Sequence, residues 1–374
     1  MQAIQIKMYS KHQTVIRIQP HNGSTPPKTS RSKFIMAKFK QGRTNLSRSI
    51  SLLLLIVLMA LLISSCGAEE TKTYRVGILV GISFLEDISN GFKEGMADLG
   101  YVEGENIIYD EQVTEFDIAS YQSILQGFVE DDVDLIVTFP TEASIEAKHI
   151  AADAGTPVVF TFALIEGMGI VDSVQTPGGN ITGVRYPGPD IAVIRYEVMR
   201  DIVPNLQKIL VPYQAGYPIV QTQLDVLYPA AEADGVEIVE VPANNAAELT
   251  EYFNNLSEEE VSEISAILVL AEPLTTLPDA VAAMVSFAEP NQIPMGGNYV
   301  ETDGYGFMFG VNVNVKESGE LAAPLADKIL QGTTAGTIPV VSSEPYIQID
   351  YAVIQGLGLD VPESLLAKAD EIYR

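Results

Sequence analysis

DLIVTFPTEASIEAKHIAADAGTPVVFTF, residues Asp134–Phe162, sets two short apolar runs around one stretch of helix length. Leu135–Phe139 and Val158–Phe162 are rich in β-branched and aromatic residues and lack in/out alternation, as expected of strands covered on both faces. Thr141–Gly155 between them opens on a hydroxyl residue and closes on glycine, the punctuation of a helix. Strand, helix and strand in about 30 residues predict parallel strands joined by a crossover. The pattern recurs outward on both sides. RVGILVGI (Arg75–Ile82), NIIYDEQV and TPVVFTF precede the middle of the chain, and KILVPY (Lys208–Tyr213), VEIVEV, AILVLAEP (Ala266–Pro273) and QIPMGG follow it. The fold expected is α/β, with doubly wound parallel sheets. About 300 residues follow Cys66, more than one ordinary core holds. Two lobes are therefore expected, broken at the turn-rich TPGGNITGVRYPGPD (Thr176–Asp190), after which the rhythm restarts. No period of 20–50 residues repeats.

Upstream of this pattern the chain changes character. No Asp or Glu precedes Glu69, whereas ten of the 22 Lys and Arg do. From Glu69 onward 12 basic residues face 49 acidic ones, a formal charge of −37. The front carries a basic stretch (Lys38, Lys40, Arg43, Arg48), then the apolar run Ile50–Ile63, then small residues, which is the layout of an export signal. That run is short for a membrane span of roughly 20 residues, although an uncleaved anchor helix is the competing interpretation. Cys66, the only cysteine in 374 residues, sits where the run stops. Ile63-Ser64-Ser65-Cys66 resembles the lipobox of bacterial lipoproteins, which implies acylation of Cys66, removal of residues 1–65 and a tether over residues 66–73. Two acyl chains anchor stably where one is marginal. Met36 opens a second conventional basic start, so residues 1–35 are expected to reflect start-codon choice.

Composition also narrows function. Nucleic-acid binding needs clustered Lys and Arg, which the acidic body lacks. His149 is the one histidine after Cys66, and the one cysteine is taken by lipid, so Cys–His and Ser–His nucleophile systems and His/Cys metal clusters are not expected. There is no P-loop, no G-x-S-x-G elbow and no G-x-G-x-x-G. No cofactor is implied. A carboxylate-pair hydrolase is left as the enzymatic alternative.

Four strings in order, DLGYVEGENI (Asp98–Ile107), TPGGNITGV (Thr176–Val184), LADKILQGTTAGTIPV (Leu325–Val340) and GLGLDVPESLLAKADEIYR (Gly356–Arg374), resemble the ABC-transporter substrate-binding lipoproteins whose better-known members bind tryptophan or tyrosine. The resemblance runs from Tyr74 to Arg374. It implies a type I periplasmic binding protein fold, with three crossovers between two lobes and the ligand in the cleft. It further implies lobes of 74–187 with 304–332, and of 188–303 with 333–374. The partners implied are a small-molecule ligand, most naturally an amino acid, a permease with its ATPase, and the membrane through the lipid anchor. A membrane sensor in place of the permease is the alternative. Exported and anchored is the expected location. Gly178, Gly179 and Asn180 tolerate positive φ and are expected at the hinge, with an ordinary surface turn as the rival.

Ligands of open α/β sheets bind beyond the carboxyl ends of the strands, which selects candidate loops. They carry Ser83 and Phe84 after the first strand, Thr141 and Ser144 after the third, and Thr161 and Phe162 after the fourth. In the second lobe they carry Tyr213, Tyr217, Glu272 and Asn298. Thr141 and Ser144 start a helix, suited to an amino-acid carboxylate or to plain N-capping. Glu272 could pair an ammonium group or stand as a solvated carboxylate. Phe84, Phe162, Tyr213 and Tyr217 could wall an apolar slot or belong to the core. The loops depart from the family pattern. Leu164-Ile165-Glu166 stands where relatives commonly have Thr-Asp-Pro, Tyr213–Pro218 where they have Asn-Pro, and Gly310-Val311-Asn312 where they have Ser-Tyr-Gly. The resemblance therefore carries the scaffold further than it carries the specificity.

Overall fold

The computed structural model describes residues 72–302 and 305–374. The leader, Cys66 and the tether as far as Thr71 lie outside the described residues. The chain begins with β1 (Tyr74–Val80), α1 (Glu86–Asp98), β2 (Ile107–Val113), α2 (Ile118–Glu130), β3 (Leu135–Phe139), α3 (Thr141–Ala154), β4 (Val158–Ala163) and β5 (Ile181–Arg185). It continues with α4 (Gly188–Ile202), β6 (Lys208–Gln214), α5 (Pro218–Asp234), β7 (Glu237–Ala243), α6 (Ala246–Asn255), α7 (Glu258–Glu263), β8 (Ala266–Leu268), α8 (Pro278–Asn291) and β9 (Met295–Gly296). The short pair β10 (Glu301–Thr302) and β11 (Tyr305–Gly306) precedes β12 (Phe309–Val313), α9 (Val315–Leu330), β13 (Val341–Ser342), β14 (Pro345–Asp350), α10 (Tyr351–Gly356), α11 (Glu363–Leu366) and β15 (Glu371–Tyr373).

The first sheet runs β2-β1-β3-β4-β5-β13 and all its pairings are parallel. Its inner strands, β1, β3, β4 and β5, are buried on both faces. Val76, Ile78 and Val80 face one core with Phe92 and Met96 of α1 and with Ala322, Leu325 and Ala326 of α9. Leu79, Ile136 and Phe160 face the other, under α2 and α3. Each buried Val, Ile, Leu, Met or Phe side chain among them contributes roughly 1.5–3 kcal/mol. Sequential strands run outward from β1 in one direction and from β3 in the other, so the loops after β1 and β3 splay apart between them.

The second sheet repeats the scheme in the order β7-β6-β8-β9, again parallel, with its switch point between β6 and β8. Ile209 and Val211 pack under α4 and α5, and Leu210 packs under α6 and α8. Beyond β9 the sheet is extended by β12-β14-β15. Gly297 bridges Gly310 in parallel, and Met308 N–H donates to the Met295 carbonyl at 2.9 Å.

The crossings differ from those the resemblance implies. The return near Gly304 falls on residues outside the described set, and the chain is still in the second sheet at Val313. It enters the first lobe only at Asn314, whose side chain caps α9 by accepting from Glu317 N–H. Gly332 is not the exit either. It closes α9 with a left-handed φ of 96°, and the chain then adds β13 to the first sheet before leaving at Ser343–Glu344. Gly178, Gly179 and Asn180 are a turn at the amino edge of the first sheet. There the Asn180 carbonyl accepts from Val158 N–H and Gly178 N–H donates to the Gly336 carbonyl. The expected hinge at these residues is thus displaced. One more first-lobe strand, β5, follows the turn, and the chain leaves after it through Tyr186–Pro187.

Candidate functional site

The carboxyl ends of both sheets face each other across a cleft lined by residues of both lobes. Loops from both switch points line it: Phe84 after β1 and Thr141 at the start of α3 from the first lobe, Tyr217 after β6 and Glu272 after β8 from the second. Phe162 and Asn298 also line it. These six of the expected residues are brought together.

Ser83, Ser144, Thr161 and Tyr213 are not among its lining. Ser144 is fully buried and donates to the Pro140 carbonyl at 2.8 Å, so its hydroxyl serves the helix start. Thr161 points to the opposite side of its strand and donates to the Ser318 carbonyl of α9 at 2.9 Å. Tyr213 leans toward β7 and donates to Glu240, which pushes its phenol up to about 12 through burial and that carboxylate. Ser83 opens a single 3₁₀ turn, Ser83–Leu85.

Thr141 faces the cleft but is not free. Its Oγ1 accepts from the buried Leu164 N–H at 3.0 Å. Thr141→Val should therefore cost about 1–3 kcal/mol of stability by orphaning that N–H, a loss to be read from urea unfolding at constant slope.

Side chains of the two lobes meet across the cleft. Phe84 packs edge-on against Tyr299, with ring centroids 5.7 Å apart. Tyr217 donates to Glu142 of α3, and burial together with that carboxylate raises the tyrosine's pKa. Glu272 lies at the same end, 5% exposed. Its oxygens accept from Leu274 N–H and Thr275 N–H at 2.8 Å each, and burial raises its pKa from the ordinary value, against the lowering effect of those bonds. Neither carboxylate has a Lys, Arg or His within 4 Å among the described residues. This end of the cleft is acidic and the rest is largely apolar, with five aromatic rings among its lining.

Phe116, Tyr186 and Asn312 were not picked out as ligand contacts from the sequence, and Tyr299 only as the neighbour of Asn298 in a candidate loop, yet all four line the cleft. Phe116 follows β2, so the strand-end rule would have reached it had that loop been included. Phe116 and Phe162 both hold left-handed backbones, at φ 47° and 49°. Strain of this kind in non-glycine residues concentrates at functional sites. At Phe162 it coincides with a shift in register between β4 and β5, which turns the ring toward Tyr186, 5.1 Å away. Asn298 is 3% exposed, and among the described residues no partner takes its amide. Among the described residues no group of three or more His, Cys, Asp or Glu is placed to hold a metal ion, and no helix is long and apolar enough to cross a membrane.

Residues 75–373 match the family model described as ABC transporter substrate binding protein. The chain belongs to that family. It is 27% identical over 296 residues, 78% of this chain and 82% of the relative, to the tyrosine-binding protein of Clostridioides difficile strain R20291. Among solved structures it resembles an ABC domain from Streptococcus pneumonia in complex with L-Trp, with a TM-score of 0.69, 22% identity, and coverage of 80% of this chain and 100% of that one. A ligand-free, open substrate-binding protein from Clostridium difficile gives a TM-score of 0.65 at 23% identity, with coverage of 80% and 99%. At these identities the structural likenesses establish the fold, a type I periplasmic binding protein. Proteins of the family bind solutes outside the cytoplasm for an ABC transporter and are not enzymes as a class.

Proposed function

We propose that this protein captures a small amine-bearing organic solute, an amino acid or a near relative of one, between its two lobes and delivers it to a permease. The supporting observation is the acidic end of the cleft. Glu142 and Glu272 come from opposite lobes and converge beside Tyr217 without a cationic partner among the described residues. A buried carboxylate without a counter-charge is costly, and an ammonium group entering the cleft offsets that cost for both lobes at once. Closure then follows from the solute's higher affinity for the closed state. The tyrosine-binding relative and the L-Trp complex are consistent with this solute class. Anchoring through acylated Cys66 holds the protein outside the cytoplasm near its permease, with transport driven by the partner ATPase.

The test is a thermal-shift screen of purified, ligand-stripped protein against amino acids, amines, nucleosides and sugars. A ligand at a hundred times its Kd adds about 2.7 kcal/mol of stability. A shift confined to nucleosides or sugars would sink the amine assignment. For the anchor, Cys66→Ser should move the protein from the membrane fraction to the soluble fraction, and retention in the membrane would refute acylation there.

A further inference from the structure

Arg195 lies in the apolar stripe of α4 between Ile191 and Met199, and it is fully buried. Among the described residues no carboxylate lies within 4 Å of it. Its Nε donates to the Val311 carbonyl at 2.8 Å, its Nη1 to Gln223 Oε1 at 3.2 Å, and its Nη2 to the Tyr186 hydroxyl at 2.8 Å. A buried cation with only neutral partners carries a desolvation cost that dipoles meet in part.

All three partners lead to the cleft. Val311 precedes Asn312, which lines it. Gln223 holds Ala271 by both backbone groups, donating to its carbonyl at 3.1 Å and accepting from its N–H at 3.3 Å, and Ala271 precedes Glu272. Tyr186 lines the cleft itself. Its oxygen accepts from the guanidinium, so its own proton is left to donate, and among the described residues no acceptor takes it. A hydroxyl polarised by a guanidinium is a strengthened donor, because hydrogen bonds chained to an ion reinforce one another. Asn298, buried and unpartnered among the described residues, opens on the same cleft.

We propose that Arg195 is a positioning residue that gives the cleft its electropositive end through Tyr186, and that this end receives the anionic group of a zwitterionic solute. This rests on the cleft being the solute site. The carboxylate is thereby assigned to Tyr186 and not to the start of α3, where Thr141 is already committed to Leu164 and Ser144 to Pro140. The amine lies at the other end, with Glu142 and Glu272.

Matched probes test this. L-tyrosine, L-tryptophan, L-phenylalanine and L-leucine are each compared by calorimetry with tyramine, tryptamine, phenethylamine and 3-methylbutylamine, which lack only the carboxylate. The protein is expected to favour the amino acid of the pair it binds by about 10- to 100-fold, the span of one charge-assisted hydrogen bond. Tyr186→Phe, which keeps the ring and removes one hydroxyl, should shrink that preference to within a few-fold. Arg195→Gln should do the same, and Arg195→Lys, which keeps the charge, should retain part of it. A purely structural role for Arg195 would lower affinity for amine and amino acid alike and leave their ratio unmoved. An unchanged ratio in Tyr186→Phe, or an amine bound as tightly as its amino acid by the unaltered protein, would overturn the proposal while leaving the amine-bearing solute intact. Binding of no member of any pair would overturn both.

Discussion

Glu272→Gln is expected to lower the affinity for an amine-bearing solute by at least about 30-fold, because truncating one side of a buried, hydrogen-bonded charge pair costs about 2–5 kcal/mol. The amide cannot replace the carboxylate. It keeps one acceptor for the two N–H groups of Leu274 and Thr275 and turns an NH₂ group toward the other. The unsubstituted protein should also lose amine affinity as pH falls through the raised pKa of Glu272, since a proton then occupies the ammonium's place. The effect on stability has the opposite sense. A carboxyl group whose folded pKa is raised favours the folded state at low pH, and that contribution is lost as pH rises from the ordinary carboxylate range to the raised value. A bound amine should cancel that loss. Titration calorimetry from pH 4 to 8 with L-tyrosine and L-tryptophan reads the first trend, and urea unfolding over the same range, with and without the solute, reads the second. Undiminished affinity in Glu272→Gln would remove the residue from the site.

Gly319→Val should destabilise the protein by about 3 kcal/mol or more. A Cβ at this position would lie 2.0 Å from the Ile88 carbonyl oxygen and 2.7 Å from the Phe92 nitrogen, both of them backbone atoms of α1. Neither can rotate away, so α1 and α9 must separate and give up the packing of Phe92, Met96 and Leu325. Gly91, facing them from α1, is equally closed, with the Lys316 carbonyl oxygen 2.0 Å from its Cβ position. Gly127→Ala is the matched control. That glycine is also helical, but nothing lies within 4 Å of its Cβ position, and alanine there should stabilise by about 0.5–1 kcal/mol. Denaturant unfolding of the two variants should therefore move in opposite directions. Equal stability of Gly319→Val and the parent would refute the close helix contact.

The parallel sheets were legible because strands buried on both faces are spelled by unbroken apolar runs, as in Leu135–Phe139 and Val76–Val80. The crossovers were misplaced because β13, two residues long, is too short to write a pattern of its own, and because a glycine turn reads alike at a hinge and at a sheet edge. Strand ends pointed to Thr141, Tyr217 and Glu272, yet gave no sign of which hydroxyls the backbone would use. Thr161 and Phe162 are neighbours in sequence, and a local shift in register decides which of them reaches the cleft. Arg195 did leave a signal, a cation in step with Ile191 and Met199 on the buried stripe of α4. Tyr186 left none, since its role depends on that guanidinium lying behind it.

The interleaving of the chain also bears on how the protein is made. α9 and β13 complete the first lobe with residues 315–342, after most of the second lobe has been synthesised, and the second sheet gains its outer strands only from Pro345–Asp350 and Glu371–Tyr373. Neither half can close its core early while a nascent polypeptide is still growing. A protein bound for the outside of the cytoplasm gains from this delay, because translocation through a narrow channel needs an unfolded thread. The same weave means that cutting the gene between the lobes would yield two fragments, each missing strands held by the other.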